Sequence, residues 1–128
     1  MDKVVHFEIP GDDMDRLKGF YTDVFGWELY DHPGMDYTMV TTVPTGKDRM
    51  PMVSGAINGG MKKRDVAGEQ PVIVIDVKSL DGTIGKVEAA GGKVVMPKAM
   101  VGDMGWYARV KDTEGNIIGV WETIPKKA

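Results

Sequence analysis

The 128-residue chain contains no cysteine and only two histidines. It therefore has no disulfide, no thiolate nucleophile and no thiolate metal ligand, which is typical of a protein from a reducing cytoplasm. No apolar run approaches the roughly 18 residues that a membrane helix needs. The first residues also lack the basic stretch and apolar core of a secretory signal. We therefore expect a cytoplasmic protein that does not enter a membrane.

The charge balance and the missing motifs exclude further classes. Sixteen Lys and Arg residues against 19 Asp and Glu residues give a formal net charge of -3, and the basic clusters at 62–64 and 126–127 are short. This is not the electrostatic footprint of a nucleic-acid-binding protein. The sequence also lacks a P-loop, a dinucleotide-binding fingerprint and a serine-histidine-acid order. Kinase, dehydrogenase and hydrolase functions therefore have no support.

The second half of the chain repeats the first. Residues 4–9 align with residues 72–77, and each copy is followed by an amphipathic segment that stops at glycine, at Gly26 and at Gly91-Gly92. The offset is roughly 64 to 68 residues, too long for a solenoid repeat and suited to a duplicated half-domain. We expect two copies that fold together and enclose one cleft.

The periodicity predicts the same order of elements in both copies, strand-helix-strand-strand-strand. In module one (3–58) the helix begins after Asp12 or Asp13 and ends at Gly26, and in module two (71–123) it begins near Ser79. The predicted strands cover 3–9, 27–30, 37–43, 51–58, 72–77, 93–96, 105–111 and 116–123. A connection (59–70) separates the modules and a tail (124–128) follows, within one domain.

The first predicted strand has two different faces. Alternation places Val5, Phe7 and Ile9 on one face, and His6 and Glu8 on the other. We expect the first face to meet a helix. The second face then carries the chemistry.

The motifs that open and close the repeat resemble a known superfamily. They are 5–10 (VHFEIP), 20–27 (FYTDVFGW) and 112–119 (DTEGNIIG). Together they are similar to the vicinal oxygen chelate superfamily, which includes glyoxalase I, bleomycin-resistance proteins, extradiol dioxygenases, fosfomycin-resistance enzymes and methylmalonyl-CoA epimerase. The likeness runs from residue 3 to about residue 123. It implies an α+β fold, in which two βαβββ modules form a curled mixed sheet around a cleft, and often a homodimer.

The resemblance also implies where metal ligands would lie. Family enzymes take one ligand from the first and one from the last strand of each module, which maps to His6, Gly55, Val74 and Gly119. Of these four residues, only His6 has a side chain that can bind a metal. A catalytic divalent ion needs about three protein ligands. We therefore expect no tightly held metal. A displaced site, built from His6 with Glu8 and Asp76, stays open as an alternative.

The polar residues have structural interpretations beside the functional ones. His6 is either a hydrogen-bonded neutral imidazole in the cleft wall or a substrate-binding or acid-base group. Glu8 and Asp76 either line a wet cleft or pair with Arg109 or main chain, and the paired state is favoured because buried carboxylates need partners.

The cleft is expected to be roomy and apolar. Glycines at 55 and 119 leave space, and alternation could place Ile57, Trp106 and Trp121 on the concave face, where they would suit a planar organic molecule. A dimer contact or the ordinary core explains the same three side chains equally well. Tyr37, Tyr107 and Arg109 are further candidates for polar contacts with a ligand.

These observations favour a glyoxalase- or bleomycin-resistance-like homodimer that binds a small organic molecule without a catalytic metal. One alternative is a metal-dependent lyase, isomerase or dioxygenase with nonstandard ligands. The other is a structural or regulatory dimer whose cleft is filled by side chains. A fold-level likeness by itself does not decide between them.

Overall fold

The two halves of the chain have the predicted strand-helix-strand-strand-strand order. A computed structural model describes residues 1–125. Part of the predicted tail (124–128), including Lys126 and Lys127, lies outside the described residues. The first half contains β1 (Lys3–Gly11), α1 (Met14–Phe25), β2 (Glu28–Asp31), β3 (Thr38–Thr41) and β4 (Asn58–Lys63). The second half contains β5 (Val72–Asp76), α2 (Leu80–Ala89), β6 (Lys93–Val101), β7 (Gly105–Lys111) and β8 (Ile117–Thr123). The predicted α+β fold class of two βαβββ modules is confirmed.

The chain divides into two compact units. One unit comprises residues 6–71, and the other combines residues 1–5 with the chain from residue 72 onward. In the first unit the strand order is β2-β3-β4-β1, and in the second it is β6-β7-β8-β5. In each, the first strand pairs in parallel with the last, and the remaining neighbours are antiparallel. The repeat in the sequence is therefore a repeat of sheet topology.

Helix α1 begins and ends where its sequence predicts. The Asp13 carboxylate accepts a hydrogen bond from the Arg16 amide at 3.0 Å, which satisfies one of the free N–H groups of the first turn. Gly26 ends the helix at φ 70°, a left-handed conformation that glycine adopts without a β-carbon clash. However, Phe20, Val24 and Phe25 of the predicted apolar stripe are each more than half exposed. The helix is correct, but its apolar face is only partly covered.

The core of the second unit lies under α2. Ser79 caps this helix by accepting a hydrogen bond from the Gly82 amide at 3.0 Å, and Leu80 is fully buried. Two side chains from β7 and one from β8 complete the buried cluster with Val77, namely Ala108, Val110 and Val120. Burying an aliphatic side chain contributes about 1.5–3 kcal/mol, so this cluster anchors α2, whose two internal glycines weaken it.

The last strand of the first unit lies further along the chain than predicted. It covers Asn58–Lys63, so the predicted strand at 51–58 is wrong and the predicted connection starts inside a strand. Pro51 instead forms an isolated bridge with Thr45, and residues 52–55 form bends and a turn in which Gly55 adopts φ 84°. Strand β6 also extends beyond the prediction, past Pro97, and its pairing register shifts at this point.

Candidate functional site

A histidine-tyrosine pair lies on one face of the first sheet. His6 projects from β1, and Tyr37 immediately precedes β3. The His6 Nε2 and Tyr37 Oη atoms are 2.8 Å apart, and the two rings are inclined by only 16°. The imidazole accepts the phenolic proton when its own proton is on Nδ1, and donates from Nε2 in the other tautomer. The tautomer of His6 therefore decides which of the two groups donates in this hydrogen bond.

Burial keeps the His6 imidazole neutral. Loss of solvent lowers the pKa of His6 from its usual 6.5, because a buried cation is poorly solvated, and the nearby negative charge of Glu8 opposes this effect in part. Glu8 lies two residues along the same face of β1 and is itself buried, with 8% of its surface exposed. Burial and Glu8 thus act on the pKa of His6 in opposite directions, and burial has the larger effect.

Asn58 occupies the position that the sequence assigned to Gly55. In the parallel pairing of β1 with β4, His6 lies opposite Asn58, just as Val74 lies opposite Gly119 in the second unit. Gly55 lies in the turn before β4, so its predicted place on the last strand is wrong. The Asn58 carboxamide accepts a hydrogen bond from the Thr42 amide at 3.0 Å.

The same carboxamide donates to Thr45 Oγ1 at 2.8 Å. The Asn58 side chain therefore ties β4 to the segment that follows β3. Ile57 directly precedes β4, and its carbonyl accepts a hydrogen bond from the Thr42 hydroxyl at 2.8 Å. This part of the predicted site is held by structural hydrogen bonds.

Gly60 makes room for the tyrosine. It lies opposite Glu8 in the sheet, and a β-carbon at this position would collide with the Tyr37 ring. The neighbouring Gly59 has the same role on the opposite face, where its missing β-carbon leaves space for the Phe7 ring. The glycine pair is thus part of the strand because two aromatic rings pack directly against its backbone.

The second unit has a related tyrosine-glycine contact. A β-carbon on Gly119 would lie 2.6 Å from Tyr107 Oη and 3.0 Å from Val74 Cγ2. Both distances are shorter than an ordinary contact, so the tyrosine hydroxyl fills the space in which a side chain at 119 would start. Arg109 Nε donates a hydrogen bond to the same hydroxyl at 3.0 Å. The Gly119 position is therefore occupied by a neighbour rather than open.

The two tryptophans of the predicted site lie on opposite faces of the second sheet. Trp121 is opposite Asp76 on β5 and Tyr107 on β7, so these three side chains share the face of Val74 and Gly119. Trp106 pairs with Glu122 and packs against the core under α2. The predicted placement of Trp106 on the concave face is wrong, because its strand position has the opposite parity.

The Glu122 side chain contacts the N-terminus of α2 and not the candidate site. Its Oε1 atom accepts a hydrogen bond from the Leu80 amide at 2.7 Å. A carboxylate at the N-terminal end of a helix also interacts favourably with the helix dipole. The last carboxylate of β8 therefore has a structural partner.

The side chains at the four family positions do not fit a catalytic metal. The strand register puts His6 and Asn58 at these positions in the first unit, and Val74 and Gly119 in the second. Valine and glycine offer no ligand atom, and the carboxamide already makes hydrogen bonds. Within residues 1–125, no group of three or more His, Cys, Asp or Glu side chains could hold a metal ion. A catalytic divalent ion needs about three ligating side chains, and the four family positions do not supply them.

The sequence is similar to known bleomycin-resistance and glyoxalase proteins. The family model described as "Bleomycin resistance protein-like N-terminal" matches residues 3–43. A Mycobacterium bovis protein named "Putative glyoxylase CFP32" is 32% identical over an alignment of 118 residues, which covers 86% of this chain and 41% of that protein. The chain thus spans about two fifths of the length of the curated relatives it matches.

Solved structures share the fold at low sequence identity. Methylmalonyl-CoA epimerase from Mycobacterium tuberculosis superposes with a TM-score of 0.65 at 17% identity, over 95% of this chain and 88% of that one. The Mn(II)-bound glyoxalase from Novosphingobium aromaticivorans gives a TM-score of 0.61 at 21% identity, over 100% of this chain and 42% of that one. Metal is therefore present in some relatives of this fold.

The matches to glyoxalase and bleomycin-resistance sequences, together with the shared fold, support the resemblance of the sequence motifs to the vicinal oxygen chelate superfamily. The comparisons describe the chain as similar to glyoxalase and bleomycin-resistance proteins. In the described part of the chain, no helix is long and apolar enough to cross a membrane.

The structure groups the predicted site residues differently from the sequence. In the first unit it brings together His6, Glu8 and Tyr37, and it leaves Gly55 and Ile57 outside β4. Sequence reasoning missed the roles of Asn58 and Gly60. The Gly59-Gly60 pair gave a signal, but two consecutive glycines indicate a loop more often than a strand.

Proposed function

We propose that this protein binds a small organic molecule at the face formed by His6, Glu8 and Tyr37, without a tightly held catalytic metal. The observation that carries the proposal is the 2.8 Å hydrogen bond between His6 and Tyr37. Because the tautomer of His6 decides which group donates in this bond, the pair can adjust to a ligand group that either donates or accepts. Glu8 adds a negative charge beside it, which disfavours an anionic group at this position.

The chemistry of the donor set supports binding rather than metal catalysis. Of the four family positions, only His6 has a side chain that commonly binds metals, and its Nε2 already faces the Tyr37 hydroxyl. At Gly119, the Tyr107 hydroxyl takes the place where a ligating side chain would begin. The four positions therefore contain a hydrogen-bonded imidazole, a hydrogen-bonded carboxamide, a valine and a glycine.

A ligand screen tests the binding proposal. Small planar organic compounds would be screened by thermal shift, because a ligand that binds the folded state raises the melting temperature by mass action. We expect hits whose affinity for His6→Ala and Tyr37→Phe is weaker by up to about tenfold, which corresponds to one charge-free hydrogen bond. Tyr30→Phe is the matched control, since Tyr30 is half exposed and lies outside the pair. Hits unaffected by both site variants would place the ligand elsewhere.

Metal analysis tests the second part of the proposal. We expect the purified, untagged protein to contain far less than one equivalent of nickel, zinc, manganese or iron, and its melting temperature to be unchanged when these ions are added. Near-stoichiometric metal that is lost in His6→Ala would overturn the proposal.

The name of the mycobacterial relative favours an enzyme as a second candidate. A metal-dependent lyase, isomerase or dioxygenase would use His6 with nonstandard ligands such as Glu8. Asp76, the third residue of the displaced metal site, lies in the other unit. Glyoxalase and epimerase turnover, measured with and without added metal, distinguishes this candidate. Turnover that requires metal and disappears in both His6→Ala and Glu8→Gln would favour it over simple binding.

We also propose that the protein is a cytoplasmic homodimer that binds a ligand. The alternatives are a monomer and a structural dimer whose cleft is filled by side chains. The exposed apolar side chains Phe20, Val24 and Phe25 on α1 support association with a second copy, because clustered apolar surface is costly in water. Light scattering gives the mass in solution, and Phe25→Glu should shift a dimer towards monomer. A dimer that binds no compound in the screen would favour the structural role.

A further inference from the structure

A pocket in the first unit is lined by residues of α1, β2, β3, β4 and the segment before β3, and this lining includes Tyr37, the hydrogen-bond partner of His6. Its volume is about 230 Å³. Three methionines supply the apolar part of its lining, Met14 from α1, Met35 from the turn before β3, and the fully buried Met61 from β4. Methionine is flexible and polarizable, so it adapts its shape to small apolar groups.

The charged residues of this pocket balance each other. Lys18 and Asp31 form an ion pair at 2.8 Å, and the Thr38 hydroxyl donates a further hydrogen bond to Asp31. These two contacts lower the pKa of Asp31 and commit its carboxylate to protein partners. Asp36 and Lys63 also line the pocket.

Asp36 and Lys63 form no ion pair with any residue in the described range 1–125. Each is exposed at the surface. The pocket therefore offers one uncommitted carboxylate and one uncommitted ammonium group above an apolar floor. Two cations and two anions around it leave no net charge, so a ligand with a net charge gains little there.

From this arrangement we propose that the pocket binds a small zwitterion with an apolar side chain, such as a free aliphatic amino acid. Its ammonium group pairs with Asp36, its carboxylate pairs with Lys63, and its side chain contacts Met14, Met35 and Met61. The volume suits this size class. It exceeds the roughly 150 Å³ of a cavity that accepts benzene, and it falls below the roughly 300 Å³ at which sites for drug-sized ligands begin.

Calorimetry or ligand-observed NMR with leucine and methionine tests this proposal. Leucine amide and N-acetylleucine are the matched probes, because each keeps the side chain and removes one of the two charges. We expect both to bind about tenfold or more weakly than leucine, since each loses one charged contact. Equal binding of all three compounds, or no binding of leucine at millimolar concentration, would overturn the proposal.

Charge-removing variants locate the site. Asp36→Asn and Lys63→Gln should each weaken leucine binding about tenfold, whereas Lys86→Gln and Asp103→Asn, exposed residues outside the pocket, should leave it unchanged. Because all four changes are at exposed positions, the variants are expected to fold, which circular dichroism verifies. Leucine binding that survives in both Asp36→Asn and Lys63→Gln would contradict the assignment.

Discussion

Tyr37 joins β3 to β1 through its hydroxyl group, which lies 2.8 Å from the Nε2 atom of His6. The ring of Tyr37 also covers Gly60 of β4, so one side chain contacts three strands of the first unit. The position of His6 therefore depends on a residue 31 positions away in the sequence. This relationship yields the first two predictions.

Tyr37→Phe should destabilise the protein by about 1 kcal/mol, because it removes one partly buried hydrogen bond and keeps the ring that packs on Gly60. The free energy of unfolding is measured by urea denaturation. Tyr30→Phe serves as the control and should change this free energy by much less, since Tyr30 is half exposed. Equal effects of the two changes would mean that the His6–Tyr37 bond adds no stability.

Stability should fall with decreasing pH through the titration of His6. Burial lowers the folded-state pKa of His6 below the unfolded value of 6.5, so the unfolded chain binds more protons in the interval between them. The contribution of His6 to stability is complete above pH 6.5 and is lost as the pH falls through 6.5 towards the folded-state pKa. Urea denaturation between about pH 7.5 and 5 measures this loss, and His6→Gln should reduce it.

An NMR titration checks the same prediction directly. The imidazole signal that disappears in His6→Gln belongs to His6 and should titrate with a midpoint below 6.5. A midpoint above 6.5 would show that the charge of Glu8 outweighs the effect of burial, and the predicted pH dependence would reverse.

Gly60→Ala should lower stability by about 1–3 kcal/mol, because the added methyl group must displace the Tyr37 ring or the backbone. Gly19→Ala is the matched control, since Gly19 lies inside α1 and a β-carbon there meets no atom within 4 Å. That change should instead stabilise the helix by up to about 1 kcal/mol. Opposite signs in thermal or urea unfolding would support the close packing of Tyr37, and a tolerated Gly60→Ala would contradict it.

Gly119→Glu should fail to create tight metal binding. The β-carbon of the new side chain would lie 2.6 Å from Tyr107 Oη, so the glutamate cannot enter without moving the tyrosine. Calorimetry with manganese and zinc compares Gly119→Glu with the double variant Gly119→Glu/Tyr107→Ala. Both should remain weak binders, because Val74 still supplies no ligand atom. Tight, stoichiometric metal binding by Gly119→Glu alone would disprove the proposed obstruction.

Local patterns predicted most of the architecture. The cap at Asp13, the left-handed Gly26 and the alternation of β1 depend on residues that are neighbours in the chain, and each lies where the sequence placed it. The family resemblance likewise depends on contiguous motifs. The expected direction of the Trp106 side chain was an exception, because Trp106 alternates along β7 with Ala108 and Val110 and so lies on the face that packs under α2.

The sequence by itself determined the duplicated βαβββ order and the two helices, because these follow from residue types and short-range periodicity. The missing metal ligands at Val74 and Gly119 follow from the positions that the family resemblance implies. Only the tertiary structure placed Gly59 and Gly60 in a strand, since the reason is the packing of the Phe7 and Tyr37 rings from distant segments. The same long-range packing brought Asn58 opposite His6 and made Tyr37 its partner. Contacts between residues far apart in the chain decide the candidate site, and no local pattern encodes them.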